Sequence, residues 1–232
     1  MKLSIIIPVY NEAQTISEIV ERVRSVDIGP IEKEIIIAND GSVDGTRQAI
    51  DSSRWAGDPR IRVYDSPINV GKGAAVRIGL KYASGDVILI QDADLELDPQ
   101  EYGGLLAPIL EGRTDVVYGS RFLSPAAPVP FRARFGNRLL TWLTNVLFRA
   151  RLIDMETAYK VFRREAIAGV RLRCVGFDFE PELTAKLLRA GRRIVEVPVR
   201  YNPRRADEGK KIRWTDGVDA VYALVKCRLA RS

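Results

Sequence analysis

Asp92, Asp94 and Glu96 occupy alternate positions directly after an uncharged apolar run, Val87 to Ile90. An extended backbone sends alternate side chains to one side, so these three acids are expected to converge. Carboxylates that close repel one another, and a hard divalent cation, Mg2+ or Mn2+, relieves the repulsion through oxygen ligands. A solvated turn after a strand would show the same residues, and an Asp-x-Asp pair alone does not decide between the two. Other loops carry comparable groups. Tyr10 and Glu12 follow Pro8, and Asp40 and Asp44 lie in a turn rich in Gly and Asp, where Asp is more often a cap or turn residue than a ligand. Lys72, between Gly71 and Gly73, stands near a helix start, where it can neutralise a diphosphate. This is not a P-loop, because Ser66 replaces the first glycine and Gly73 stands where Ser or Thr is required.

The elements that must position these groups alternate. Strands are expected at residues 3–9, 34–38, 61–64, 87–90 and 115–118, with helices at about 13–25, from 46, from 69 to 82 and at 100–111. That pattern argues an α/β fold with a mostly parallel central sheet flanked by helices. Ligands bind such sheets outside the carboxyl ends of the strands, which is where residues 8–12, 39–44 and 92–96 fall. Beyond Gly119, helices are expected at 132–151, 180–190 and 214–229, and added strands at 158–162 and 194–199. The 132–151 helix carries Phe135, Leu139, Trp142, Leu143, Val146 and Leu147 near one side, which suits either a core helix or one lying at a membrane interface. The C-terminal helix is amphipathic in the same way.

With 232 residues the chain fits one large domain or two small ones, and its Pro-rich piece at 124–130 reads as a loop within one domain. Net charge is +6, and no acid occurs from Val116 to Ile153, where Arg121, Arg132, Arg134, Arg138, Arg149 and Arg151 lie. Such a patch suits phosphates, anionic lipid or nucleic acid, but a nucleic-acid partner leaves the acidic rim unexplained and is not expected. Histidine is absent, which removes Ser-His-Asp triads and His-rich zinc sites. Two cysteines without metal spacing fit a reducing cytoplasm. The N-terminus runs straight into a strand, so no signal peptide is expected, and the apolar segment 139–148 is too short to span a bilayer.

Taken together, the motifs at residues 8–12, 39–46, 69–74, 85–86 and 91–96 resemble the family 2 inverting glycosyltransferases of GT-A fold. Further motifs at 118–122, 154–160, 179–184 and 196–199 resemble the dolichyl/polyprenyl-phosphate mannosyltransferase branch. The resemblance covers nearly the whole chain. It implies a single GT-A catalytic domain over residues 1–232, with a nucleotide-sugar-binding half at 1–120 and an acceptor-binding half with the C-terminal tail at 121–232. It further implies that Pro8, Tyr10, Glu12, Asp40, Lys72 and Asp92 hold the nucleotide-sugar, with Lys210 and Lys211 closing over the diphosphate. Asp92, Asp94 and Glu96 would hold Mg2+ or Mn2+; relatives often carry Gln in place of Glu96. Arg121, with Arg134 or Arg138, would receive the lipid phosphate.

The reaction so implied moves a hexose from GDP-mannose, UDP-glucose or UDP-GlcNAc to a polyprenyl or dolichyl phosphate. A phosphate monoester has a second pKa near 6 and is already largely dianionic at neutral pH, so it needs positioning more than a base. Should a base be needed, Asp154 or Glu156 is the candidate; the other reading of that pair is a structural anchor. The expected location is cytoplasmic and peripheral, at the cytoplasmic membrane face or on a small membrane subunit. Two readings compete: a family 2 enzyme acting on a saccharide hydroxyl in polysaccharide synthesis, and a nucleotide-binding regulatory protein with a dead site.

Overall fold

The computed structural model describes residues 1–124, 129–204 and 214–230. Seven strands form one sheet in the order β3-β2-β1-β4-β6-β5-β7. They are β1 (Lys2–Val9), β2 (Glu32–Asn39), β3 (Ile61–Asp65), β4 (Val87–Ile90), β5 (Val116–Ser120), β6 (Lys160–Arg163) and β7 (Ile194–Pro198). All pairings are parallel except those of β6, which runs antiparallel to both β4 and β5. The expected α/β architecture of GT-A type is the one observed.

The sheet is packed on both faces. Leu3, Ile5 and Ile7 of β1 face α1 (Ile16–Ser25), which buries Ile16, Ile19, Val20 and Val23. Alternate residues Ile6, Ile36 and Ile88 face the other layer, where α3 (Lys72–Tyr82) contributes Val76. On that face α6 (Phe179–Arg189) contributes Phe179, Leu183 and Leu187, while α4 (Tyr102–Leu110) packs Leu105, Leu106 and Ile109 on the α1 side. The chain reverses its direction of winding at β1, which has β2 on one side and β4 on the other. The crevice beyond their carboxyl ends is therefore the topological binding position.

Helix α5 (Phe131–Phe148) resolves the two readings of its sequence by having two apolar sides. Leu140, Leu143 and Leu147 pack against Leu224 and Cys227 of α7 (Trp214–Leu229) in a third cluster. Phe131, Phe135, Leu139, Trp142 and Val146 recur every three or four residues on the outside and are exposed. Helix α7 repeats the division, with Val218, Val221, Tyr222, Val225 and Leu229 exposed. Among the described residues no helix is long and apolar enough to cross a membrane.

At the opposite end of the sheet, Glu34 is a buried carboxylate that ties three strands together. It accepts from the Ser84 amide (2.6 Å), the Ser84 hydroxyl (2.7 Å), the Gly85 amide (3.2 Å) and Ser4, and it pairs with Lys2 and Arg62. Burial opposes its ionisation, but the bonds from Ser4, Ser84 and Lys2 outweigh that and hold its pKa at about 2, below the ordinary 4.5. A carboxylate depressed in this way stabilises the fold above the unfolded pKa, and the contribution is lost as pH falls from 4.5 towards 2. Glu34→Gln should therefore destabilise the protein by about 1–3 kcal/mol at pH 7 in urea unfolding. The gap to the native protein should narrow through that acid window; a gap independent of pH would refute the assignment.

Candidate functional site

Beyond the carboxyl ends of β1, β2 and β4, loops brace one another before any charge is presented. The Asn11 amide donates to the Ser42 hydroxyl (2.9 Å), the Asn11 carbonyl oxygen of the side chain accepts from Val43 N–H (2.9 Å), and the Glu12 amide donates to Thr46 (2.9 Å). Asp40 spends its carboxylate on the next loop. It accepts from the Val70 amide (3.0 Å), the Gly71 amide (2.7 Å) and Asn69 Nδ2 (2.8 Å). The start of α3 offers no open amide cradle, since Gly73 N–H and Ala74 N–H go to the Gly176 and Val175 carbonyls at 3.1 Å each. What this loop delivers is the Lys72 side chain.

Lys72 is half-buried between two acids. Its ammonium lies 2.8 Å from Asp92 and 2.7 Å from Glu180, the second acid coming from α6. Burial works against the charge, but Asp92 and Glu180 outweigh it, and the pKa is raised above the ordinary lysine value.

The acidic stretch does not continue as a strand. β4 ends at Ile90 and Leu95 has a φ of 62°, so residues 92–97 turn and the expected alternation of side chains is lost. Gln91, fully buried, shapes that turn: its amide nitrogen donates to the Asp92 carbonyl (3.0 Å), while Tyr102 and Tyr159 both donate to its Oε1 at 2.8 Å. The three acids take different partners. Asp92 faces Lys72, whereas Glu96 accepts from the Tyr201 hydroxyl and the Arg204 amide at 2.9 Å each. Among the described residues no three acids are gathered as a metal-ligand group, though Asp92 and Glu96 both lie close enough to Asp94 to act on its charge. Asp94 accepts from the Glu96 amide (3.1 Å) but among the described residues has no cation paired to its carboxylate. Burial, then Asp92, then Glu96 push its pKa up to about 7.

Arg204 is a further member of this rim. It donates to the Asp94 carbonyl at 2.9 Å and pairs with Glu12 through both terminal nitrogens. Lys210 and Lys211 lie outside the described residues. Tyr10 is half-buried at the rim and Pro8 is buried within β1.

On the other side of β4, Arg121 grips Asp154 in a fork, Nε to Oδ2 at 2.8 Å and Nη2 to Oδ1 at 2.7 Å. Asp154 is fully buried, and its loop is hung on Glu196 of β7, whose carboxylate accepts the Ile153 and Asp154 amides at 2.7 Å each. Lys160, buried over the Tyr118 ring, donates to the Met155 carbonyl (2.8 Å) and the Thr157 carbonyl (2.7 Å). Arg134 and Arg138 lie one turn apart on α5, the first half-buried and the second exposed. Sequence reading gave Glu180 and Glu196 no role of their own, though both lie in the motifs at 179–184 and 196–199; Glu196 is the one charged residue of an otherwise apolar strand.

A family model described as "Glycosyl transferase family 2" matches residues 4–170. Glycosyltransferase AglD of Haloferax volcanii is 30% identical over 88% of this chain and 34% of its own length, so the chain spans about a third of that relative. The undecaprenyl-phosphate mannosyltransferase of Micrococcus luteus is 28% identical over 90% of this chain and 87% of its own. Among solved structures, glucosyl-3-phosphoglycerate synthase from Mycobacterium tuberculosis, crystallised with Mn2+, UDP and phosphoglyceric acid, aligns with a TM-score of 0.76 at 20% identity. That alignment covers 100% of this chain and 80% of that one.

Gly71 has a φ of 126°, and a Cβ there would run into the Val175 carbonyl. Gly71→Ala should therefore cost at least about 1–3 kcal/mol in backbone strain alone. Urea unfolding should show that loss; an unchanged midpoint would refute the strain.

Proposed function

The chain belongs to glycosyl transferase family 2, and from that premise we propose that it moves a hexose from a nucleotide-sugar to the phosphate of a polyprenyl or dolichyl carrier at a membrane surface. The observation that carries this reading is the rim itself: a lysine held between two acids and a carboxyl pushed towards neutral pH on the donor side, and an arginine fork beside them. The names of the undecaprenyl-phosphate mannosyltransferase and of the UDP-bound neighbour support the acceptor and donor classes.

In this reading residues 1–120 hold the donor and 121–232 the acceptor. Lys72 meets the diphosphate and offsets charge on the departing nucleotide. Tyr10, Glu12 and Asp40 line the nucleotide side, Asp40 by holding the Asn69 to Gly71 loop in place. Arg121 has donors beyond the two given to Asp154, and these take the acceptor phosphate, with Arg134 and Arg138 behind it. Asp154 acts here as the anchor of Arg121. An acceptor that is already an anion needs no base, which suits a rim whose nearest acid is committed to an arginine.

Mg2+ or Mn2+ fits this donor set. Such ions are held through one or two carboxylates plus substrate phosphates, and Asp92 and Asp94 are two hard-oxygen groups whose mutual repulsion a cation relieves. When bound, the ion supplies Lewis-acid stabilisation to the leaving diphosphate.

Two exposed apolar helix faces, on α5 and α7, flank the acceptor side, and α5 carries arginines without a single acid. An anionic membrane surface matches both features and is where a lipid phosphate resides.

The deciding assay offers GDP-mannose, UDP-glucose and UDP-GlcNAc with either undecaprenyl phosphate or a free oligosaccharide. Label should enter the lipid phase from one donor; transfer to the saccharide alone would favour polysaccharide synthesis, and binding without turnover would favour a regulatory role. Asp94→Asn should lower transfer by about 10²–10³-fold with the melting temperature kept. It should also abolish any Mn2+-dependent rise in melting temperature with nucleoside diphosphate. Phe135→Asp with Trp142→Asp should abolish co-flotation with phosphatidylglycerol vesicles while leaving nucleotide binding intact; unchanged flotation would remove α5 from the membrane contact.

A further inference from the structure

Between Asp154 and Lys160, nearly every polar side chain has an assigned partner. Asp154 holds Arg121, the Thr157 hydroxyl donates to the Gly119 carbonyl, Tyr159 donates to Gln91, and Lys160 caps two carbonyls. Glu156 is the exception: its Oε1 is sealed from solvent and has no hydrogen-bond partner. Native proteins seldom leave such an atom unmatched without a reason.

The backbone under Glu156 is not slack. Lys160 grips the carbonyls of Met155 and Thr157, the residues on either side of it, so the side chain is held from both flanks. Its charged surroundings come from both halves of the site. Glu180, which shares Lys72 with Asp92, bears on it from the donor side, and Arg121 and Asp154 bear on it from the acceptor side. Burial, reinforced by Glu180 and opposed by Lys160 and Arg121, lifts its pKa to about 8. A carboxyl in that condition at neutral pH can donate as well as accept.

The group in transit must lie between the nucleotide side and the acceptor side. We propose that Glu156 is a specificity-determining residue whose carboxyl takes a hydrogen bond from, or gives one to, a ring hydroxyl of the transferred hexose. The proposal rests on the function proposed above and adds the residue that reads the sugar. Neither the diphosphate nor the acceptor phosphate matches it: each is an anion, and Glu156 already has two acids near it, Asp154 and Glu180. A neutral polyol is the ligand class that satisfies the atom without adding charge.

The test compares wild type, Glu156→Gln and Glu156→Ala by calorimetric titration, with Mn2+ present, of a nucleoside diphosphate and of its hexose conjugate. Binding is read without acceptor, and turnover is then assayed with undecaprenyl phosphate. Glu156→Ala should weaken the nucleotide-sugar about tenfold while changing the nucleoside diphosphate less than twofold. Glu156→Gln, which keeps both a donor and an acceptor, should recover most of that loss. Epimeric hexose conjugates should be discriminated less well by the alanine variant than by wild type.

Equal losses for diphosphate and conjugate would overturn the proposal and make the residue structural. Intact donor affinity with abolished turnover in Glu156→Gln would overturn it in favour of a general base. If wild type binds a nucleotide-sugar and both variants bind it equally well, the Glu156 proposal falls alone. If wild type binds no nucleotide-sugar at all, the function proposed above falls and this inference falls with it.

Discussion

One ammonium holds the site together. Lys72 enters from the first turn of α3 and meets Asp92, from the loop after β4, and Glu180, from α6. Three segments distant in sequence are thereby tied at one point. A charge taken out of water is tolerated only where partners compensate it, and removing one partner strands the others. The pairing therefore constrains the backbone on all three sides: Gly71 must adopt a backbone region open mainly to glycine, the Val175 and Gly176 carbonyls must approach α3, and β4 must give way to a turn at Gln91. The interaction also explains why the acids nearest the sheet do not simply repel one another apart.

A second regularity concerns what carboxylates do here. Most buried acids shape backbone and are thereby spent. Asp40 captures the Val70 and Gly71 amides, Glu196 the Ile153 and Asp154 amides, Glu182 the Arg173 and Cys174 amides, and Glu34 the Ser84 and Gly85 amides. Loops carry function, and a rim built from loops needs such anchors because it lacks a ladder of its own. Subtracting the spent acids leaves few. Asp94 and Glu156 stand out, both pushed towards neutral pH by burial and by like charges. Perturbed carboxyls of this kind gather where a ligand is to complete the electrostatics.

The fold was legible in the sequence because its signals are local. Apolar runs such as Ile5 to Ile7 and Ile35 to Ile37, punctuated by Gly, Asn and Asp, mark parallel strands regardless of what surrounds them. The shared place of residues 8–12, 39–44 and 92–96 beyond the strands' carboxyl ends followed from topology alone. The turn at Leu95 was not legible, because a positive φ at a leucine has no sequence signature and is imposed by tertiary contacts, here Gln91 beneath and Tyr201 and Arg204 beside. The two-sided character of α5 was missed for a related reason: Leu143 and Leu147 look alike in sequence to Phe135 and Val146, and only the position of α7 tells which stripe is covered. Arg204 was hidden because a long side chain reaching Glu12 across most of the chain's length leaves no spacing to detect.

Arg204 also bears on how the rim is arranged. Its guanidinium occupies Glu12 and its amide occupies Glu96, so the segment after β7 lies across the acids assigned to the nucleotide. A nucleotide-sugar brings a diphosphate, a stronger partner for a guanidinium than one partly shared carboxylate. Exchange of Glu12 for diphosphate oxygens would move positive charge from one anion to another with little net change in burial. The same holds for Arg121, which already grips an acid of fixed geometry and can take a phosphate through its remaining donors without releasing Asp154. On the proposed function, a chain with no histidine would meet two anionic substrates with cations that are already paired, so that binding would exchange or add partners rather than dehydrate free charges.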